Sequence, residues 1–167
     1  MKNPTSSVLM VILCLLVSNP TWAVEEGEQA PDFTLTDIHT GAADFTLSDL
    51  RGKVIYLDFW ASWCAPCLLS LPMYNELYSR YQDQGLEVIG VNVDDPLENG
   101  LDFLADTPLD FKIPADPEGD IPELYNILGM PTSFLIDRSG TVRMVHVGFR
   151  DGDLEKIEAA IKSLLNE

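Results

Sequence analysis

The sequence predicts an α/β fold with a central mixed β-sheet and helices on both of its faces. Two observations lead to this class. Apolar, strand-like runs alternate with segments of helical spacing, and an antiparallel hairpin stands near the carboxyl end of the chain. Strands separated by helices form parallel βαβ units, and the hairpin adds an antiparallel strand to the sheet. Of the 167 residues, the 144 that follow the first 23 suit one compact domain.

Residues 1–23 have the pattern of an export signal. Lys2 gives a positive start, Val8–Val17 is an uninterrupted apolar run, and small residues precede a cleavage site after Ala23. This run is shorter than the roughly 20 residues that a membrane span needs, although an uncleaved anchor remains an alternative. We therefore expect an exported protein, periplasmic or otherwise extracytoplasmic, whose mature domain comprises residues 24–167.

The mature domain is expected to begin with a hairpin and a buried strand. Residues 30–35 and 44–47 both alternate between polar and apolar side chains, and the polar segment between them contains Gly41. This pattern predicts a short N-terminal β-hairpin. Val54–Trp60 is apolar and rich in β-branched and aromatic residues, which is typical of a buried central strand.

A helix is predicted directly after this strand. Apolar residues recur at helical spacing through Leu68–Gln84, and Gly85 marks the end. Pro66 suits the first helical turn, because the N–H that proline lacks would have no partner within the helix. Cys64 and Cys67 therefore lie where a central strand leads into a helix.

The second half of the chain continues the alternation. The helix predicted at Leu97–Ala105 is expected to direct Leu101, Leu104 and Ala105 towards the core. The predicted elements in chain order are a strand at Leu86–Val93, a helix at Leu97–Ala105, an extended piece at Phe111–Ala115, a helix at Ile121–Leu128, a hairpin of Thr132–Ile136 with Val142–Val147, and an amphipathic helix at Glu155–Leu165.

The spacing of Cys64 and Cys67 indicates thiol–disulfide exchange. The positive end of a helix stabilises an anion, so a thiolate is favoured at Cys64, and Cys67 one turn later can attack a mixed disulfide formed there. A short structural disulfide is one alternative. A zinc site is another, but zinc needs four ligands and the further candidates are His39, His146 and Cys14.

The chain is strongly acidic. After removal of the signal, nine Lys and Arg residues oppose 27 Asp and Glu residues, a formal charge of −18. This charge argues against nucleic acid and anionic membrane surfaces as partners and favours a basic or neutral one. Ten of the acids lie between Asp94 and Glu123, where we expect a solvated acidic face; a calcium site is disfavoured because no calcium-loop pattern is present.

Four stretches together resemble the thioredoxin-like superfamily. These are residues 58–67 (DFWASWCAPC), 129–132 (GMPT), 30–33 (APDF) and 132–140 (TSFLIDRSG). The last two narrow the resemblance to the exported TlpA/ResA/CcmG group of thiol–disulfide oxidoreductases. The resemblance covers nearly all of the mature chain. It implies a thioredoxin-like fold with the N-terminal β-hairpin as an extension.

The resemblance also implies roles for individual residues. Cys64 is implied to be the exposed catalytic nucleophile and Cys67 the buried resolving thiol of a redox-active disulfide. Pro131 matches a cis-proline that presents backbone groups to the substrate, whereas the sequence alone shows only a proline before a strand. The substrate-binding residues are then expected to be Trp63, Pro66, Met130 and Pro131.

The implied partners are protein thiols and disulfides. The resemblance favours a reductase that a membrane-bound donor recharges. We expect a monomer that uses no metal or organic cofactor and contributes to cell redox homeostasis. Cytochrome c biogenesis and the rescue of wrongly oxidised thiols are the implied contexts. The redox direction itself depends on tertiary surroundings.

The sequence departs from the group at two informative positions. Ser70 stands where a Glu is common, three residues after the second cysteine, and Asp58 stands where Asn is common. A carboxyl buried beneath Cys67 has a raised pKa and can take and return the proton of the resolving thiol. We therefore predict that Asp58 is a general acid/base, the alternative being a solvated or paired strand residue.

Three leucines after the cysteine motif are unusual. A helix cannot bury Leu68, Leu69 and Leu71 on one narrow stripe, so they predict either an apolar rim for substrate docking or additional core.

Two other functions remain alternatives. A peroxiredoxin-like peroxidase would place Thr where Ala61 stands. A Cu(I) metallochaperone would use the two thiolates, although Met73 and Met130 are more simply explained as a core residue and a substrate-loop residue.

Overall fold

A computed structural model of the chain describes residues 23–38 and 44–167. The predicted export signal, apart from Ala23, lies outside this range, as do Cys14, His39 and Gly41. In the described part of the chain, no helix combines the length and the apolar character that crossing a membrane requires.

The main sheet has four strands and mixed polarity. Its order is β4–β3–β5–β6, in which β3 is parallel to β4, and β5 is antiparallel to both β3 and β6. A separate antiparallel pair, β1 and β2, is the predicted N-terminal hairpin. The strands are β1 at Thr34–Leu35, β2 at Phe45–Thr46, β3 at Val54–Trp60, β4 at Leu86–Asn92, β5 at Thr132–Ile136 and β6 at Val142–Val147.

The predicted helices are present, with shifted ends. They are α1 at Ala65–Tyr81, α2 at Glu98–Asp106, α3 at Asp120–Leu124 and α4 at Asp153–Leu165. A short 3-10 turn at Gln82–Gln84 follows α1, and Gly85 then ends it with φ +102°. Only glycine adopts this left-handed conformation without strain, so the stop signal read from the sequence is confirmed.

The sheet separates two apolar layers. Alternation along β3 turns Tyr56 and Trp60 to one face, where they pack with Cys67 and with the apolar sides of α1 and α4. Leu57 and Phe59 face the opposite layer, which the N-terminal segment and α3 cover. The expected mixed sheet with both faces covered is confirmed.

The inward face of α2 differs from the prediction. Leu104 is buried, but Leu101 is 40% exposed and Ala105 is exposed as well. Gly100 lies inward instead, because α2 approaches Asn92 so closely that a Cβ on Gly100 would lie 2.7 Å from the Asn92 amide nitrogen. The prediction for Leu101 and Ala105 was wrong, since apolar spacing did not reveal this close approach.

Candidate active site

The two cysteines form a disulfide at the start of α1. Cys64 is the residue that precedes the helix, and the Cα atoms of Cys64 and Cys67 are 5.3 Å apart. The backbone N–H groups of Cys67 and Leu68 donate to the Cys64 carbonyl at 2.9 and 3.1 Å. Cys67 is fully buried, while Cys64 is only 5% exposed. The expected exposed nucleophile is therefore largely covered in this disulfide form.

The first turn of α1 favours negative charge at Cys64. Pro66 lies in this turn, and no acidic side chain occurs there. The unpaired N–H groups and the helix dipole consequently act on the sulfur without a competing carboxylate nearby in the helix, which stabilises a thiolate.

The loop before Cys64 is held by a buried carboxylate. Asp94 accepts hydrogen bonds from the Ser62 N–H at 2.9 Å and the Ser62 hydroxyl at 2.7 Å, and from the Asn92 amide at 2.7 Å. Asp116 is buried too and accepts from the Ile121 N–H at 2.8 Å. At these two positions the predicted solvated acidic face is wrong, because each carboxylate satisfies backbone donors in the interior.

The exposed tryptophan that precedes Cys64 and the methionine of a cis-proline loop border one hollow. The Met130–Pro131 peptide bond is cis, as the resemblance implied. The Pro131 carbonyl accepts a hydrogen bond from Gly148 at 2.8 Å, which anchors the loop to the end of β6. Trp63, 67% exposed, and Met130 both line a hollow of about 410 Å³. The structure thus brings two predicted substrate-binding residues to one hollow.

Leu128 was missed by the sequence reading. It is 95% exposed, since α3 ends at Leu124 rather than at the predicted Leu128. With Ile127 and Gly129 it lines both this hollow and a neighbouring apolar one of about 200 Å³. Neither the helical spacing nor Gly129 indicated that the chain leaves the helix before this leucine.

The leucines after the motif divide between core and surface. Leu71 is buried and Leu68 is half-buried against the core, whereas Leu69 is 66% exposed. The prediction of additional core holds for Leu68 and Leu71, and a docking role for the exposed Leu69 stays a prediction. Met73 is partly exposed, so its assignment to the core was wrong.

Asp58 is a fully buried carboxyl in the centre of β3. It lies between Tyr56 and Trp60 on the strand face directed at α1, the face on which Cys67 packs. The Ser133 hydroxyl donates to Asp58 Oδ1 at 2.6 Å, and Oδ2 has no hydrogen-bond partner in the described structure. Burial raises the pKa of Asp58 to about 7, and the Ser133 hydrogen bond acts in the opposite direction. The solvated alternative for Asp58 was wrong.

Three more polar residues lie in this layer, and the sequence reading had given them no role. The Ser70 hydroxyl donates to the Cys67 carbonyl at 3.1 Å, and the buried hydroxyl oxygens of Tyr56 and Tyr74 have no partner in the described structure. Spacing could have indicated them: Tyr56 is two residues from Asp58 on a strand, and Ser70 and Tyr74 follow Cys67 by three and seven residues on a helix.

The described residues contain no group of three or more His, Cys, Asp or Glu side chains arranged to hold a metal ion. His146, one of the zinc candidates, lies with Nε2 3.3 Å from Asp153 Oδ2. The other two candidates fall outside residues 23–38 and 44–167.

Comparison with known proteins identifies relatives of this chain. The AhpC/TSA family matches residues 26–145. The thiol-disulfide oxidoreductase ResA of Geobacillus kaustophilus is 40% identical over 141 residues, which cover 84% of this chain and 80% of that protein.

Solved structures agree with this family. A candidate thiol:disulfide interchange protein DsbE from Chlorobium tepidum superposes with a TM-score of 0.81 at 45% identity, covering 86% of this chain and 99% of that one. The exposed lipoprotein thioredoxin Etrx1 of Streptococcus pneumoniae gives a TM-score of 0.69 at 30% identity, covering 80% of this chain and all of the other (100%).

Proposed function

The chain belongs to the AhpC/TSA family of thioredoxin-like proteins and is a thiol–disulfide oxidoreductase, and we propose that it is an extracytoplasmic reductase of protein disulfides. One observation carries the proposal. A cysteine couple at a helix start has its second cysteine packed on the sheet face that holds a buried carboxyl with a pKa of about 7. A group of this kind can accept and return a proton near neutral pH.

The proposed reaction begins with the Cys64 thiolate of the reduced enzyme. It attacks one sulfur of a substrate disulfide, forming a mixed disulfide and expelling the other substrate sulfur as a thiolate. Cys67 then transfers its proton to Asp58, and the Cys67 thiolate attacks the Cys64 sulfur. The second substrate sulfur leaves and takes up a proton, so two electrons have moved from the enzyme dithiol to the substrate.

Substrate recognition is proposed to use the hollow that Trp63 and Met130 line. Trp63 and Met130 supply apolar surface, Pro131 supplies backbone groups, and Pro66 shapes the approach to Cys64. The formal charge of the chain is −17, which favours basic or neutral substrate surfaces. The partner is therefore a protein segment with apolar side chains beside its cysteine.

The extracytoplasmic location is supported by the export pattern of residues 1–23. One structural neighbour is described as an exposed lipoprotein, which is consistent with work outside the cytoplasm. There, we propose, a membrane-bound donor reduces the Cys64–Cys67 disulfide after each turnover of a monomeric enzyme. Cytochrome c biogenesis and the rescue of oxidised thiols are the proposed settings.

The direction of the reaction is tested by the reduction potential of the Cys64–Cys67 couple. The protein is equilibrated in redox buffers, and fluorescence of Trp60 and Trp63 reports the state. A reduction potential of about −270 mV, as in thioredoxin, supports a reductase. A reduction potential of about −120 mV indicates an oxidant and refutes the proposed direction. If no reversible two-electron couple appears, the redox function fails and Cu(I) titration of the reduced protein becomes the next test.

A further inference from the structure

We propose that the hydroxyl groups of Ser133, Tyr56 and Tyr74 are a set of positioning donors that hold the ionised form of Asp58 and so tune proton removal from Cys67. The inference rests on the proposed function, in which Asp58 is the proton acceptor. It adds residues on three elements, none of which has a role in the scheme above.

Ser133 fixes one oxygen of the carboxyl. Asp58 on β3 and Ser133 on β5 are direct partners in the antiparallel register, so their side chains stand on the same face of the sheet. Both are buried, and the Ser133 hydroxyl donates to Oδ1 at 2.6 Å. A serine hydroxyl has a single proton, so this contact leaves Oδ2 as the oxygen that receives the proton from Cys67.

The two tyrosines add two further hydroxyl donors to the same buried layer. Their rings are 4.9 Å apart between centroids, and burial, with a further contribution from the Asp58 charge, raises the pKa of both hydroxyls. Both hydroxyl oxygens and Asp58 Oδ2 are buried and have no hydrogen-bond partner in the described structure. Two hydroxyl donors and one carboxylate acceptor of the same buried layer thus have unused hydrogen-bonding capacity, and this capacity is available to the carboxylate when Asp58 carries its charge.

The cluster adjoins the resolving cysteine. Tyr74 follows Cys67 by seven residues on α1, and Ser70 lies between them on the same buried face. The Ser70 hydroxyl is bound to the Cys67 carbonyl at 3.1 Å. One side of the helix thus carries both the thiol that loses the proton and a hydroxyl that stabilises the acceptor.

Among the described residues, no cationic side chain acts on the pKa of Asp58. Tyr56 faces it from β3, Ser133 from β5, and Cys67, Ser70 and Tyr74 from α1. The neighbour on β4 is Gly90, and α4 contributes Ile157 and Ile161 to the same layer. The next side chain across the sheet is His146, directed with Nε2 to Asp153, which in turn pairs with Lys156. The charge of the Asp58 carboxylate is therefore stabilised by hydroxyl donors and not by a cation.

The consequence is a dependence of the resolving step on each donor. Removal of a donor disfavours the ionised carboxyl, so Asp58 accepts the proton from Cys67 only at higher pH. The step to be measured is the decay of a mixed disulfide between Cys64 and a chromogenic aromatic thiol, followed by stopped flow from pH 5 to 9.

The variants are Ser133→Ala, Tyr74→Phe, Tyr56→Phe and Asp58→Asn in the full mature chain. We expect the pH midpoint of mixed-disulfide decay to rise by about one unit in Ser133→Ala, a tenfold change in proton affinity, and by less in each Phe variant. Ser133→Thr keeps a hydroxyl and is expected to restore the wild-type midpoint. Tyr125→Phe is the matched control, since Tyr125 is buried on the opposite face and donates to the Pro31 carbonyl at 2.7 Å.

The outcomes separate the two proposals. In one outcome, the pH midpoint of mixed-disulfide decay disappears in Asp58→Asn but is unchanged in Ser133→Ala and in both Phe variants. This result refutes the donor set and leaves Asp58 as the proton acceptor. If Asp58→Asn keeps the midpoint, the acceptor role itself fails. If Ser133→Ala does not fold, the two Phe variants decide. An unchanged pH midpoint of mixed-disulfide decay in both refutes the donor set, and a raised pH midpoint supports it.

Discussion

Replacing the buried carboxyl of Asp58 with the amide of Asn is expected to stabilise the oxidised protein at alkaline pH. In the folded state burial raises the pKa of Asp58 from 3.8 to about 7. One pKa unit corresponds to about 1.4 kcal/mol, so ionising this carboxyl inside the fold costs about 4 kcal/mol relative to the unfolded chain. Asn keeps an acceptor for the Ser133 hydroxyl but does not ionise.

The sign follows from proton linkage. Because the folded protein binds this proton more tightly than the unfolded chain, the contribution of Asp58 is fully present below about pH 4. It is lost as the pH rises through about 7. Wild-type stability is therefore expected to fall across this interval, and the gain in Asp58→Asn to grow from near zero at pH 4 to about 4 kcal/mol at pH 8.

The assay is urea unfolding of both proteins in the oxidised state, at one-unit steps from pH 4 to 9. Asp153→Asn is a control of opposite sign. A hydrogen bond from Lys156 lowers the pKa of Asp153, so this variant is expected to lose stability at neutral pH and to approach the wild type at acidic pH. Equal stability of wild type and Asp58→Asn at pH 8 would falsify the reasoning.

Three further predictions concern packing and recognition. Leu128→Ala is expected to raise the KM for an unfolded protein disulfide several-fold but not the KM for a small aromatic disulfide; equal effects on both substrates would refute a docking role. Leu101→Ala is the matched control, because Leu101 is an exposed leucine on α2 that does not line the hollow. Gly100→Ala places a methyl group 2.7 Å from the Asn92 amide and is expected to cost about 1–3 kcal/mol in urea unfolding. Asp94→Ala leaves three hydrogen-bond donors without an acceptor, and we expect the free energy of unfolding to fall by about 3 kcal/mol. An unchanged urea midpoint would contradict the assigned hydrogen bonds.

Local sequence patterns predicted most of the fold. The apolar run Val54–Trp60, the stop at Gly85 and the hairpin at the carboxyl end were predictable, because strand alternation, helical spacing and turn residues act between near neighbours in the chain. The cysteine couple and its place before α1 were predictable for the same reason. The expectation of a buried acid at Asp58 came from the resemblance to the thioredoxin-like superfamily.

Contacts between distant segments were decided by the tertiary structure. Ser133 lies 75 residues from Asp58, and their hydrogen bond exists because the antiparallel register of β3 and β5 places them opposite each other. The inward turn of Gly100 likewise depends on the approach of α2 to β4. A sequence pattern specifies which face of an element is apolar, whereas the group that a polar atom meets across the core depends on how the elements pack.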